Sequence, residues 1–322
     1  MTQPLLSVQD LRVTYQTEGG GVPAVRGVSF DVAPGETLGI AGESGCGKSS
    51  VAGAVLRVLP TGTEVTGEVL LDGEDMLSMK PERLRAVRWT ELSIVFQGAL
   101  HTLNPVQKVG SQIAEAIELH HSAVKTKARV SELFELVGLP SRRSGDYPHQ
   151  LSGGQRQRVL IALALACNPR LIADEPTTAL DVMVQAQVLE LLERLQRELA
   201  LSMIFITHDL STLSYVCERT AVMYAGRIVE EGTSDDVVGR PAHPYTAALA
   251  AAFPVIGDHA FRKSPSGLGG DPPDPRDIPT GCPFHPRCAV ARPECPTVDV
   301  ELWSAGDGRR AACVRVLDQS PA

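Results

Sequence analysis

Residues 37–49 read Thr-Leu-Gly-Ile-Ala-Gly-Glu-Ser-Gly-Cys-Gly-Lys-Ser. The first five form a short apolar run, Thr37–Ala41, that reads as a buried strand. Directly after it, Gly42-Glu43-Ser44-Gly45-Cys46-Gly47-Lys48-Ser49 has the spacing G-x-x-x-x-G-K-[ST]. A helix is expected over 48–59. Strand, glycine-rich turn and helix together are the context this spacing requires. The glycines let backbone N–H groups converge on an anion, and the helix N-terminus adds partial positive charge. Lys48 is suited to reach the β- and γ-phosphates of a nucleotide, and Ser49 to bind its Mg²⁺. Ser50 comes next and joins the candidate nucleotide-binding residues.

A second strand, 171–174, ends in Asp174 and Glu175. With a phosphate loop upstream, Asp174 is placed to hold Mg²⁺ through water, and Glu175 to orient or polarise an attacking water. Gln97 and His208 each come after a strand-like run, 93–96 and 203–207. Alone, a Gln or a His in that position carries little information.

Working outward, strand-like runs at 37–41, 69–71, 93–96, 171–174 and 203–207 alternate with helical stretches at 48–59, 155–166 and 182–200. Such alternation predicts an α/β sheet covered by helices. Residues 5–32 read as antiparallel strands around Gly19-Gly20-Gly21. Residues 109–165 read as a helical insertion. Residues 264–283 are rich in Gly and Pro and read as an extended or irregular segment. No internal repeat is evident.

The 322 residues carry 30 Lys+Arg against 38 Asp+Glu, a formal net charge of −8. That balance argues against a nucleic-acid surface as the main function, because phosphate backbones select basic patches. No signal peptide is expected at the start. The longest apolar stretch, 159–167, is far short of the roughly 20 residues a membrane helix needs. The chain is therefore expected to be intracellular, and any membrane role to run through partners. Of seven cysteines, Cys282, Cys288, Cys295 and Cys313 cluster in the tail. In a reducing compartment such a cluster points to a metal site rather than a disulfide framework.

Leu151-Ser152-Gly153-Gly154-Gln155, followed by Arg156-Gln157-Arg158, resembles the signature motif of ABC-type ATPases. The order phosphate loop, Gln97, signature, Asp174-Glu175, Ala179-Leu180-Asp181, His208 fits that family over about residues 5–240. The resemblance implies a nucleotide-binding domain over 1–240, with a P-loop NTPase (RecA-like) core, an antiparallel β subdomain and a helical signature subdomain at about 100–165. It implies that ATP sits between the phosphate loop of one chain and Ser152, Gly153, Gly154 and Gln155 of a second, identical or related chain. By the same resemblance Tyr15 stacks on adenine, Gln97 senses Mg²⁺ and the membrane partner, and His208 contacts the γ-phosphate. Asp181 couples the two sites. Glu175, His208 and Lys48 form the catalytic set. The rival reading, a soluble ABC ATPase acting on nucleic acid, meets one phosphate loop, no heptad run and an acidic chain.

The tail narrows the resemblance. Ala242-His243-Pro244-Tyr245-Thr246, Gly281-Cys282-Pro283-Phe284-His285-Pro286-Arg287-Cys288 and Leu103-Asn104-Pro105 resemble the ATP-binding subunits of dipeptide and oligopeptide importers and their nickel-importing relatives. This implies a C-terminal extension over 241–322 and a place on the cytoplasmic face of a membrane. It also implies two transmembrane permease subunits as partners, docked in part through residues 96–105, with a solute-binding protein beyond them. The cargo stays open between peptides and nickel or another small solute. The spacing C-x5-C-x6-C-x17-C suits a [4Fe–4S] cluster or Zn²⁺, with His243 and His285 as alternative ligands. Structural zinc favours tighter C-x2–4-C pairs, so iron–sulfur is preferred. Packing of four reduced thiols as small apolar groups is the remaining alternative.

Overall fold

A computed structural model describes residues 3–96, 102–120, 125–178, 180–252 and 268–317. The chain divides into two compact units, residues 1–77 with 205–322, and residues 78–204.

In the first unit, β1 (Leu6–Thr17), β2 (Gly20–Val32), β4 (Glu64–Leu71) and β5 (Glu74–Asp75) form an antiparallel sheet in the order β2-β1-β4-β5. Leu6 and Val8 face inward, and so do Leu11 and Val13. The phase slips by one residue between the two pairs because β1 bulges there, with Asp10 at a left-handed φ of 44°. Gly67 on β4 makes this possible. Its φ is 101°, and a Cβ there would lie 2.5 Å from the Asp10 carbonyl oxygen. The turn joining β1 to β2 is Glu18-Gly19, and Gly20 and Gly21 already belong to the second strand.

The same unit holds β3 (Thr37–Ala41), parallel to β9 (Arg219–Tyr224), which turns through Ala225-Gly226 into antiparallel β10 (Arg227–Thr233). All five residues of β3 are buried, as expected for a parallel strand covered on both faces. α1 (Lys48–Val55) is shorter than the expected 48–59, since Arg57 adopts a left-handed φ of 52° and the chain turns away. β8 (Met203–Thr207) crosses the boundary between the two units and is buried throughout.

The tail extends this unit's strands. β12 (Arg309–Ala311) pairs with β10, and β11 (Trp303–Gly306) with β12. The entry into the tail is fixed by a buried carboxylate. Glu230 accepts the N–H groups of Ala242 and His243 at 2.7 and 2.8 Å. His243 Nδ1 then accepts the N–H of Tyr245 at 3.0 Å, opening the helix Pro244–Ala252. The His243 ring is buried, and burial drives its pKa down to about 4. Residues 268–283 hold no helix or strand, in line with the irregular segment expected from their composition.

In the second unit β6 (Leu92–Val95) and β7 (Arg170–Asp174) are parallel neighbours. The segment read as a helical insertion carries helices Val109–His120, Thr126–Leu136 and Gly153–Ala164, with two short 3-10 turns between the last two. A further helix, Val182–Leu199, ends on Ala200, whose φ of 48° is left-handed. Ile113, Ile117, Leu133, Phe134, Val159, Ile161 and Leu195 are fully buried. Three arginines satisfy the orphan carbonyls at helix ends. Arg129 donates to Leu165 and Ala166, Arg158 to Val137, and Arg194 to Leu136. Gln97, just past the expected strand 93–96, lies outside the described residues.

The depressed pKa of His243 has a stability consequence. Between pH 6.5 and about 4 the unfolded chain binds a proton that the folded chain refuses. Stability is thus lost as pH falls through that window, by up to about 3 kcal/mol. His243→Asn keeps an acceptor for the Tyr245 N–H but removes the titration. Chemical denaturation at pH 7 and pH 5 should show the wild type losing more stability than the variant; parallel losses would refute this.

Candidate nucleotide-binding site

The phosphate loop takes a shape that only glycine allows at two points. Gly42 and Gly47 have φ of 155° and 106°. A Cβ on Gly42 would lie 2.3 Å from the Met223 carbonyl oxygen, and one on Gly47 2.3 Å from that of Ala24. Such contacts exclude any side chain. The loop is also tied to the turn after β9, since the Gly226 N–H donates to the Cys46 carbonyl at 3.0 Å. Cys46 itself is buried, and burial raises its thiol pKa, which makes it a packing group rather than a nucleophile.

Lys48 is 4% exposed and donates Nζ–H to the carbonyls of Gly42 at 2.7 Å and Glu43 at 2.9 Å. Its ammonium therefore lies across the base of the loop, and Ser44 and Gly45 are exposed along it. Tyr15 sits near the end of β1, half-buried, with its OH donating to Ser50 Oγ at 3.0 Å. That bond joins the expected adenine-stacking residue to the helix that opens at Lys48. His208, just past β8, is exposed, and Asp209 caps the next turn by accepting from Ser211.

Glu43 introduces partners that the sequence did not suggest. Its carboxylate takes two hydrogen bonds from the Arg287 guanidinium, at 2.7 and 3.0 Å. Its N–H donates to Tyr245 Oη at 2.9 Å. Tyr245, Tyr224 and Phe284 pack ring against ring at centroid distances of 4.5–5.3 Å. Arg287 lies 5.9 Å from the ring centroids of both Tyr224 and Phe284. The signals were a Tyr and an Arg far from the loop in sequence, and no spacing rule links them to it.

In the second unit Asp174 is buried at the end of β7. Glu175 comes next at a left-handed φ of 46°, an uncommon conformation for a residue with a side chain, and Thr178 Oγ1 donates to its Oε2 at 2.8 Å. Such backbone strain is characteristic of functional positions. Ser152 caps the helix Gly153–Ala164 through a reciprocal pair. Gln155 N–H donates to Ser152 Oγ at 3.3 Å, and Ser152 N–H donates to Gln155 Oε1 at 3.1 Å. Arg156 Nε donates to the carbonyls of Pro148 and Leu151, which pins the approach to the cap. A Cβ on Gly154 would lie 2.4 Å from Val184 Cγ1. This glycine thus admits the start of the helix Val182–Leu199, where Asp181 accepts the Val184 N–H at 3.0 Å. Helix N-terminus, exposed Ser152 and small Gly153 leave a surface suited to a phosphate.

The four tail cysteines are free thiols. Gly281, with φ of 66°, lets Cys282 pair with Cys295, Cys282 N–H donating to the Cys295 carbonyl at 2.8 Å. Burial first, and then the proximity of the other three cysteines, push Cys282 up to about 11. Cys288 and Cys313 are raised for the same reasons, each feeling other tail cysteines. The thiols therefore share one neighbourhood. Yet among the described residues no three His, Cys, Asp or Glu side chains converge tightly enough to hold a single metal ion. Tetrahedral zinc, with Zn–S near 2.3 Å, needs such convergence. His243 and His285 are both engaged locally, His243 Nδ1 with Tyr245 N–H and His285 Nδ1 with the Cys282 carbonyl at 2.9 Å, which makes His285 part of a turn.

A glycine-rich phosphate loop on a parallel strand, an acidic pair at a strand end and a capped signature helix define an ATP-binding cassette. The family described as "ABC transporter" matches residues 25–178, and that described as "Oligopeptide/dipeptide transporter, C-terminal region" matches residues 229–295. Among curated relatives, the "Oligopeptide transport ATP-binding protein OppD" of Bacillus subtilis is 46% identical over 89% of this chain and 82% of its own length. The "Dipeptide transport ATP-binding protein DppD" of the same organism is 46% identical over 89% and 87%. The solved dimeric cassette MJ0796, in a post-hydrolysis state with ADP and Pi, aligns with a TM-score of 0.64 at 28% identity over 71% of this chain and 98% of that one. The chain belongs to the ABC transporter ATP-binding proteins of the oligopeptide/dipeptide group, and it is an ABC ATPase.

The capping pair makes a direct prediction. Ser152→Ala should lower stability by about 1 kcal/mol in urea denaturation, with Ser152→Thr recovering most of it. Equal stability of all three proteins would show that the cap contributes nothing.

Proposed function

We propose that the chain is the ATP-hydrolysing subunit of an importer for di- and oligopeptides. It works on the cytoplasmic face of a membrane with two permease subunits, a second nucleotide-binding chain and, through the permeases, a solute-binding protein. The observation that carries this reading is a complete cassette joined to a tail of the oligopeptide/dipeptide type. Among the described residues no helix is long and apolar enough to cross a membrane, so membrane coupling falls to partners. Phe96, Val106 and Leu119 are exposed apolar side chains on the second unit and are suited to a permease contact. The division into a cassette at 1–240, with a helical subdomain at about 100–165, and an extension at 241–322 belongs to the same proposal.

In this reading ATP binds the backbone of Gly42, Glu43, Ser44, Gly45, Cys46 and Gly47, and Tyr15 stacks on the base. Lys48 leaves the carbonyls it bridges and turns to the β- and γ-phosphates. Ser49, Gln97 and Asp174 would hold Mg²⁺, which would offset the charge of the phosphates. Ser50 lies beside them. Glu175 orients the attacking water as general base, and His208 contacts the γ-phosphate. Ser152, Gly153, Gly154 and Gln155 of the second chain close on that phosphate, and Asp181 carries the state of one site to the other. Loss of the γ-phosphate removes that contact, so ATP binds the pair shut and hydrolysis releases it.

Cys282, Cys288, Cys295 and Cys313 are the proposed ligands of a [4Fe–4S] cluster, with Zn²⁺ the less favoured occupant. Such a group would cross-link a tail with little core of its own. Its support is the shared neighbourhood of Cys282 with the other three tail thiols.

Two outcomes test the proposal. With its permeases in proteoliposomes, Glu175→Gln should retain ATP binding but lose at least about 100-fold in kcat, and should stop uptake of labelled di- and oligopeptides. Wild-type uptake of nickel and not of peptides would overturn the cargo. Separately, anaerobic purification should yield about four irons and four sulfides per chain. One zinc and no iron would replace the cluster with a zinc staple.

A further inference from the structure

The second residue of the phosphate loop is an acid, and that is electrostatically awkward. The loop gathers N–H groups for a polyanion, while a carboxylate at Glu43 opposes the same anion. The structure answers this from the far end of the chain. Arg287 meets Glu43 with two hydrogen bonds, at 2.7 and 3.0 Å. The Arg287 side chain is 7% exposed and that of Glu43 21%. This is a shielded, bidentate pair rather than a surface contact. Arg287 is held firmly at its post. Nε donates to the Gly269 carbonyl at 2.9 Å, and the guanidinium packs by Tyr224 and Phe284. A second tie, Tyr245 Oη accepting the Glu43 N–H, comes from the helix that opens the tail.

We propose that Arg287 is a positioning residue for the phosphate loop: by holding the Glu43 carboxylate aside and neutralising it, the C-terminal extension sets the affinity of the loop for nucleotide. The inference rests on the nucleotide-binding reading above. It assigns the extension a role in the cassette's own chemistry, distinct from cargo and from the permeases. The mechanism is electrostatic. Without Arg287 the carboxylate is released beside the incoming triphosphate and repels it. With the carboxylate also neutral, nothing remains to repel. The two residues must therefore be coupled, and the coupling must appear in binding more than in the chemical step. Arg287 directly precedes Cys288, so the turn that carries a candidate cluster ligand also carries this charge.

The test uses the full chain with Mg²⁺ and a fluorescent ATP analogue, alongside steady-state ATPase. Arg287→Gln should raise Kd by roughly 10-fold, with KM for ATP rising in parallel and kcat at saturating ATP moving by less than about 3-fold. In a chain already carrying Glu43→Gln, the same change should raise Kd by less than about 2-fold. Arg287→Lys should fall between wild type and Arg287→Gln. Unaltered Kd in Arg287→Gln would overturn the proposal. So would an equal rise with and without Glu43→Gln, since Arg287 would then act through its own charge or as a structural strut and not through Glu43. Thermal melts check that each variant is folded. If Arg287→Gln does not fold, Arg287→Lys is read in both backgrounds by the same criteria. Failure of the wild type to bind the analogue would instead sink the nucleotide-binding reading itself.

Discussion

Everything functional in the first unit depends on how closely the backbone of residues 42–47 approaches its surroundings. The Met223 and Ala24 carbonyls stand where a Cβ on Gly42 or Gly47 would be, and the Cys46 carbonyl is bound by Gly226. Those contacts come from β2, from β9 and from the β9–β10 turn, elements remote in sequence from the loop. A loop pressed this hard between neighbours cannot relax into an ordinary turn. Its backbone shape is set in advance, so little ordering remains to be done when an anion arrives. Lys48, buried and bridging two loop carbonyls, completes the same shape from within.

The second unit solves a related problem by different means. There an exposed surface is made from a helix start, and the capping box of Ser152 and Gln155 fixes where that start falls. Arg156 fixes the chain leading into it, and Gly154 lets the Val182–Leu199 helix come close enough for Asp181 to cap its own helix beside it. Glu175, one residue past the end of β7, is held in a left-handed backbone conformation with its carboxylate tied to Thr178. Each device uses local hydrogen bonding to hold a functional group where simple burial could not.

Much of this was legible in the sequence because the relevant rules are local. The phosphate loop, the strand ending in Asp174-Glu175 and the Ser152 cap are each defined within a few residues, and the structure puts strand, turn and helix where those residues imply. The helices at 153–164 and 182–199 fall within two residues of the expected stretches. Features set by distant contacts were not legible. The bulge that shifts the inward phase of β1 shows only when Gly67 is seen across from Asp10. The strands at 219–233 and 303–311 carry no signal as clear as the phosphate loop. The pairing of Glu43 with Arg287 joins residues 244 apart, and nothing in the local pattern of either names the other. In the tail the cysteine spacing was legible, whereas the local hydrogen bonds of His243 and His285 were not.

Amide hydrogen exchange on the intact chain, with and without Mg-ATP, tests the central claim most directly. If the preformed loop is the nucleotide site, ATP should strongly protect amides between residues 42 and 50, with ADP protecting the same segment. Protection elsewhere with the loop amides unchanged would contradict the account.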